Sequence, residues 1–289
     1  MTHPTDTPAT EQLAAQYDAF HAARARTDLV ARLYAEAMGE DYPHEITASS
    51  SCDWPLLALL ASRLRMRPGR LLVDAGCGTG GIGLWLARAL AIRLHGLDLS
   101  PEAVEQATAR SHHFVPSGRA TFRIATLTAT GLPDGCAHGA ICIDALSAAT
   151  DRAAALRELG RILAPGARLT ITRSQRHGAA PVWDEQAHAA GLIVEHVDER
   201  PDEPAMWGRL YKLWIDHAHE LRAQLGNDQA HNMLTEAHRV LPKLPGRRAV
   251  LLTLRRPATQ QANPDAKDKM AHPGPAPGDG RVPSERTPQ

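Results

Sequence analysis

The sequence predicts a doubly wound α/β fold on a mostly parallel, seven-stranded sheet, and three observations carry that expectation. Short apolar runs alternate with amphipathic helical runs along most of the 289 residues, the pattern left by successive strand–helix–strand units. One stretch, Leu71 to Leu86 (LLVDAGCGTGGIGLWL), passes from a buried type of strand through a glycine-dense turn into a helix. Three of the strand ends carry carboxylates, at Asp74, Asp98 and Asp144, where open α/β sheets bind their ligands.

Residues 1–9 are expected to be disordered, and residues 10–67 to form a helical cap segment. From Thr10 to about Met38 the composition turns to Ala, Leu, Arg and Glu. Leu13, Tyr17 and Phe20, then Leu29, Leu33 and Ala37, recur at helical spacing and predict two helices. Trp54-Pro55 opens a third, with proline in its first turn, and Pro68-Gly69 ends the segment. The core is expected over 68–256. Its first strand leads through the glycine turn into a helix reaching about Ala91. A second strand, RLHGLD, ends on Asp98, and Ser100-Pro101 supplies an N-cap and a first-turn proline for the next helix. Ala120–Leu127, Gly139–Asp144, Ala167–Arg173 and Leu192–Val197 read as the third to sixth strands. Helices are expected at Arg152–Leu163 and Trp183–Ala190. Residues 205–241 interrupt the alternation as a helical insertion before a last strand, Ala249–Leu254. The tail, 257–289, is rich in Pro, Gly, Asp and Lys with almost no large apolar residue, and is expected to be disordered.

Composition excludes several function classes. Lys+Arg and Asp+Glu are both 32, a balance that argues against the basic face a nucleic-acid partner demands. Neither an N-P-P-[YFW] segment nor a Pro-Cys dipeptide is present. The apolar run from Leu56 to Ala61 is far shorter than the roughly 20 residues that span a bilayer, and the N-terminus has no basic segment leading into an apolar one. No membrane partner is expected. Cys52, Cys77, Cys136 and Cys142 contain no C-x-x-C pair, so the expectation is reduced cysteines in a cytoplasmic protein without a metal site. Oligomeric state is left open, a homodimer being compatible with the sequence.

Gly76, Gly78 and Gly81 satisfy G-x-G-x-x-G, a weak signal alone. Asp98 stands where a carboxylate ending the second strand can accept two hydrogen bonds from a ribose diol; its competing role is a charge favoured by the next helix dipole. Asp74 would favour a bound ammonium or sulfonium and repel a phosphate; its competing role is to brace the loop. An oxidoreductase using NAD accommodates the glycines and Asp98 but leaves Asp74 against the pyrophosphate.

The segments D-A-G-C-G-T-G (Asp74 to Gly80), G-L-D-L-S (Gly96 to Ser100) and R-I-L-A-P-G-A-R-L (Arg161 to Leu169) closely resemble class I S-adenosylmethionine-dependent methyltransferases. GEDYPHE (Gly39 to Glu45), Trp54, TATGLPD (Thr128 to Asp134) and CIDAL (Cys142 to Leu146) resemble those bacterial members that modify small molecules, often in natural-product pathways. The resemblance implies S-adenosylmethionine as cofactor and methyl transfer to O, N or C of a small molecule. It implies that Asp74 and the turn Gly76, Cys77, Gly78, Gly80 hold the methionyl part. Asp98 would bind the ribose, Leu99 would pack on adenine, and Asp144 would lie near the sulfonium. Where the family usually has Gly-Asp after the third strand, this chain has Ala125-Thr126. The Thr126 hydroxyl would then accept from the adenine amino group, more weakly than a carboxylate, with amides near Leu127 in support. A general base would help an acceptor that must lose a proton, and Tyr17, His44 and His217 are its candidates. Trp54, Trp207 and Tyr211 are candidates for the acceptor pocket. The alternative reading is a catalytically silent partner with the same fold.

Overall fold

A computed structural model describes residues 8–47 and 49–258. The stretches 1–7 and 259–289, on which the expectations of disorder fall, lie outside the described residues. Pro8 and Ala9, expected as disordered chain, instead begin the first helix.

Three helices precede the sheet: α1 (Pro8–Ala25), α2 (Leu29–Met38) and α3 (Trp54–Leu64). Then follow β1 (Leu71–Ala75), α4 (Gly81–Ala89), β2 (Arg93–Asp98), α5 (Pro101–Arg110), β3 (Ala120–Ile124) and β4 (Ala137–Cys142). The second half runs α6 (Arg152–Ile162), β5 (Leu163–Arg176), α7 (Trp183–Ala189) and β6 (Ile193–Glu199). The helical insertion consists of α8 (Glu203–Asp216), α9 (Ala218–Leu225) and α10 (Asn227–Val240), before β7 (Arg247–Arg255). The seven strands lie in the order β3-β2-β1-β4-β5-β7-β6. β7 is antiparallel to both neighbours, and the pairs from β3 across to β5 are parallel.

Local chemistry fixes the helix starts. Asp53, Ser100 and Asp151 accept the amides of Leu56 (2.7 Å), Ala103 (3.1 Å) and Ala154 (2.8 Å). Each such cap is worth about 1 kcal/mol. Pro55 and Pro101 occupy first-turn positions where their missing N–H costs nothing. One face of the sheet packs Val73, Leu97, Leu169 and Leu252 against Leu159, Trp183 and neighbours from α6 and α7. The other packs Leu72, Leu94, Ile141 and Leu251 against Leu57, Leu60 and Leu84 from α3 and α4. A third apolar cluster has no strand in it. Leu33 and Tyr34 of α2 meet Leu210, Tyr211 and Trp214 of α8, Leu221 of α9 and Met233 of α10. Segments far apart in sequence therefore share one core.

Five strands differ in their bounds from expectation: β4 lies two residues earlier, β6 runs on to Glu199, β7 extends at both ends to Arg247–Arg255, and β3 and β5 change in length. β3 stops at Ile124, because the chain then turns on itself and Thr126 pairs with Ala129. β5 is longer at both ends, because Leu163 pairs with Ala137 of β4 at its start and the register against β7 continues to Arg176↔Arg247 at its end.

Helix α1 is fastened to the sheet side by one carboxylate. Asp18 Oδ1 accepts the Ser100 hydroxyl and the Glu102 amide, both at 2.9 Å, so a residue of α1 satisfies an open N–H at the start of α5. Asp18→Ala is expected to lower stability by about 1–2 kcal/mol, read as a lower urea midpoint with unchanged slope; an unaltered midpoint would show that the contact contributes nothing.

Candidate functional site

The sheet order reverses between β1 and β4, which opens a crevice at their carboxyl ends. The two turns that follow these strands touch. A Cβ on Gly76 would stand 2.3 Å from the Ala145 Cβ, and Gly76 also holds φ +78°, so both contact and conformation demand glycine there. Above lies a cavity of about 930 Å³, within the range of small-molecule sites. Gly76, Cys77 and Gly78 form its floor, with Asp98, Leu99, Thr126 and Leu127 at one end. Asp144 stands beyond the floor. Tyr17, His21 and Arg24 of α1 line the cavity from the helical side, and Trp207 and Tyr211 of α8 extend it.

Asp98 is 8% exposed and already fixed: Oδ2 accepts the Gly78 amide (2.8 Å) and Oδ1 accepts the Ser100 amide (3.0 Å). A carboxylate has about four acceptor positions, so two bonds remain for a ligand. Asp144, in a left-handed conformation with φ +55°, is equally constrained. Its Oδ1 accepts the Thr172 hydroxyl (2.8 Å) and its Oδ2 the Ser51 amide (2.7 Å). Arg200 completes that junction, donating to the Ser51 hydroxyl (2.9 Å), the Ser51 carbonyl (2.6 Å) and Asp53 (3.1 Å). The segment before α3 is thereby pinned to the end of β4. The Thr126 hydroxyl lies 3.2 Å from that of Thr128.

Asp74 requires a correction. It does not line the cavity; it is 3% exposed beneath the first turn of α4. The alternation of β1 points its side chain to the α4 face. There Gly83 makes room for it, since a Cβ at Gly83 would stand 2.6 Å from Asp74 Oδ2. Burial pushes its carboxyl up to about 7, the Asp98 charge adds to the rise, and the Gly83 amide opposes it. The Asp74 carboxylate therefore lies beneath the turn rather than on the cavity wall, its Oδ2 without a hydrogen-bond partner among the described residues.

Other candidates also fall outside the cavity. Trp54 is 38% exposed and packs edge-on against Trp85 at 5.8 Å. His44 is exposed and packs edge-on against Tyr42. His217 ends α8, its Nδ1 bonding the Leu213 carbonyl at 2.9 Å, and so caps its own helix. Gly80 supports the turn from below, where a Cβ would meet Phe122 at 2.9 Å. Tyr17 does line the cavity, but burial and the Asp98 charge raise its phenol above the ordinary value, which makes it a proton donor rather than a base.

Sequence reasoning missed His21, whose ring lies over Gly78, and Arg24, which stacks 3.3 Å above the Phe20 ring with Nη1 unpartnered. It also missed Glu203, a buried acid lining the cavity. The helical spacing of α1 was legible, but which of its faces meets the sheet was not.

Residues 72–166 match the family model described as a methyltransferase domain. Over these residues, from β1 to the start of β5, the chain resembles methyltransferase domains. An O-methyltransferase of Pyrenophora dematioidea is 27% identical over 175 residues, covering 61% of this chain and 56% of that protein. The 27-O-demethylrifamycin SV methyltransferase of Amycolatopsis mediterranei is 28% identical over 172 residues, covering 59% and 60%. The chain thus spans less than two thirds of the length of these relatives. Among solved structures, that of the [4+2]-cyclase SpnF shares the fold at TM-score 0.67 and 22% identity, covering 87% of this chain and 97% of that one. The matched residues include the glycine turn, Asp98 and Asp144, whereas α1 and α8 lie outside them.

The raised Asp74 carboxyl has a measurable consequence. Between about pH 4, its unfolded value, and about 7, the native protein holds a proton that the unfolded chain has lost. Its contribution to stability therefore declines as pH rises through that window. Asp74→Asn is expected to equal the parent in urea unfolding near pH 4 and to exceed it at pH 8. A variant less stable than the parent at pH 8 and equal at pH 4 would reverse the assignment.

Proposed function

We propose that this chain transfers a methyl group from S-adenosylmethionine to a small-molecule acceptor in secondary metabolism, with a hydroxyl as the favoured acceptor. The observation that carries the reading is Asp98. It presents a carboxylate at the cavity while holding the Gly78 amide of the adjoining turn, which suits a ribose diol beside a glycine floor. The names of the relatives in the matched region support an oxygen acceptor.

The residues present fit this donor. Asp98 has acceptor capacity left for the ribose, Leu99 offers an apolar surface for adenine, and Thr126 and Leu127 offer a hydroxyl and an amide at its edge. Arg24 brings to the cavity a guanidinium nitrogen without a hydrogen-bond partner among the described residues, suited to the carboxylate of the donor. When bound, the donor supplies an already activated methyl group, so orientation does much of the catalytic work. In this reading the chain's own part is to hold the acceptor in line, exclude water and take a proton where one is lost. The N-terminal segment 10–67 and the insertion 205–241 act as the cap that shapes the acceptor pocket, with Trp207 and Tyr211 on its wall. The expected setting is cytoplasmic, with a small molecule rather than nucleic acid as partner. A solved neighbour that is a [4+2]-cyclase shows that this fold does not dictate one reaction, so donor binding is the first thing to measure.

Calorimetric titration is expected to show binding of S-adenosylhomocysteine and none of NAD; the reverse would overturn the reading. Asp98→Ala is expected to weaken S-adenosylhomocysteine by about 1–3 kcal/mol, the worth of hydrogen bonds to a charged group. Undiminished affinity would remove Asp98 from the ribose role.

A further inference from the structure

The cavity holds one buried carboxylate that the roles above leave unused. Glu203 sits in the first turn of α8, is 4% exposed and lines the cavity. Its Oε1 accepts two hydrogen bonds, from the Trp207 indole N–H and from Arg247 Nη2, both at 2.8 Å. Its Oε2 has no hydrogen-bond partner among the described residues. A buried oxygen left unmet costs about 1–3 kcal/mol, and anchoring Trp207 and Arg247 needs Oε1 alone. Oε2 is thus in surplus to the structural task.

The surroundings define what could meet it. Trp207 stacks on Tyr211 at 5.4 Å and 27°. Tyr34 stands edge-on to Trp207 at 6.2 Å and to Trp214 at 6.5 Å. All four rings line the same cavity. Trp207 links the two features, since its ring belongs to the aromatic wall while its N–H holds Glu203. A flat apolar body against these rings would bring a polar substituent to the carboxylate.

We propose that Glu203 is the general base of this enzyme, its Oε2 receiving the proton of an acceptor hydroxyl whose aromatic or similarly flat body packs against Trp207 and Tyr211. The proposal rests on the methyltransferase reading and adds the residue and the acceptor class. As the acceptor oxygen bonds to the methyl carbon, the methyl–sulfur bond breaks and its electron pair returns to sulfur. The hydroxyl proton passes to Glu203 Oε2 and from there to water, leaving a methyl ether and a neutral thioether. The charged groups facing the carboxylate are Arg247 from β7, Arg200 from the turn before α8, and Asp144 beyond β4. Burial raises the Glu203 carboxyl above its ordinary value, with Arg247 opposing, which brings the base closer to neutral pH and improves it.

The test uses the full chain, with phenol as the acceptor probe and S-adenosylhomocysteine as the donor-site probe. Glu203→Gln is expected to bind S-adenosylhomocysteine as the parent does, to lose at least about 100-fold in anisole formation, and to lose the acid limb of the parent's kcat/KM profile. Glu203→Asp is expected to retain that limb at a reduced rate, and stands in should the Gln variant fail to fold. Parental rates with the acid limb intact in Glu203→Gln would overturn the proposal. So would a parent that binds S-adenosylhomocysteine but neither binds nor methylates phenol. A parent that does not bind S-adenosylhomocysteine overturns the methyltransferase reading instead.

Discussion

The structure of the site depends on the two hydrogen bonds that Asp98 accepts from the amides of Gly78 and Ser100. One carboxylate at the end of β2 joins the glycine turn after β1 to the N-cap of α5. Bonds of this charge-assisted kind are worth about 1.5–3 kcal/mol each. The chain of contacts does not stop there. Ser100 donates its hydroxyl to Asp18 of α1, and Asp18 takes the Glu102 amide as well. Floor, wall and covering helix are therefore linked through Asp98, Ser100 and Asp18 in turn.

The opposite end of the cavity is held by a second polar junction. Asp144 stands in a left-handed conformation that a side chain rarely adopts, a cost of order 1–3 kcal/mol. It is offset by bonds to Thr172 and Ser51, with Arg200 gripping Ser51 from the other side. The helices α2, α8, α9 and α10 then bring their own apolar cluster to this end. The mostly parallel sheet supplies the crevice, and residues from segments on either side of the matched region line the cavity beside it.

Much of this was legible in the chain. The strands were visible because a sheet covered on both faces writes itself as apolar runs, and the Gly76 turn and Asp98 carry their chemistry at fixed spacing. The orientation of Asp74 was not legible. A strand turns alternate side chains to opposite faces, and which face Asp74 takes depends on the space left by Gly83 nine residues later. His44, His217 and Trp54 were drawn from composition and position, with nothing in the sequence to show that each is occupied by a local contact. Glu203 reads in sequence as an ordinary acid at a helix start. Its significance comes from Arg247 at the far end of the insertion and from the oxygen left without a partner. Both are facts of tertiary structure.

The central claim is that the glycine turn, Asp98 and α1 form one unit that closes on a nucleoside-bearing methyl donor. Amide hydrogen exchange with and without S-adenosylhomocysteine tests it most directly. The account predicts that the ligand slows exchange together at 76–80, at 98–100 and through the second half of α1. Protection confined to other segments, or protection of the turn with α1 unaffected, would contradict it.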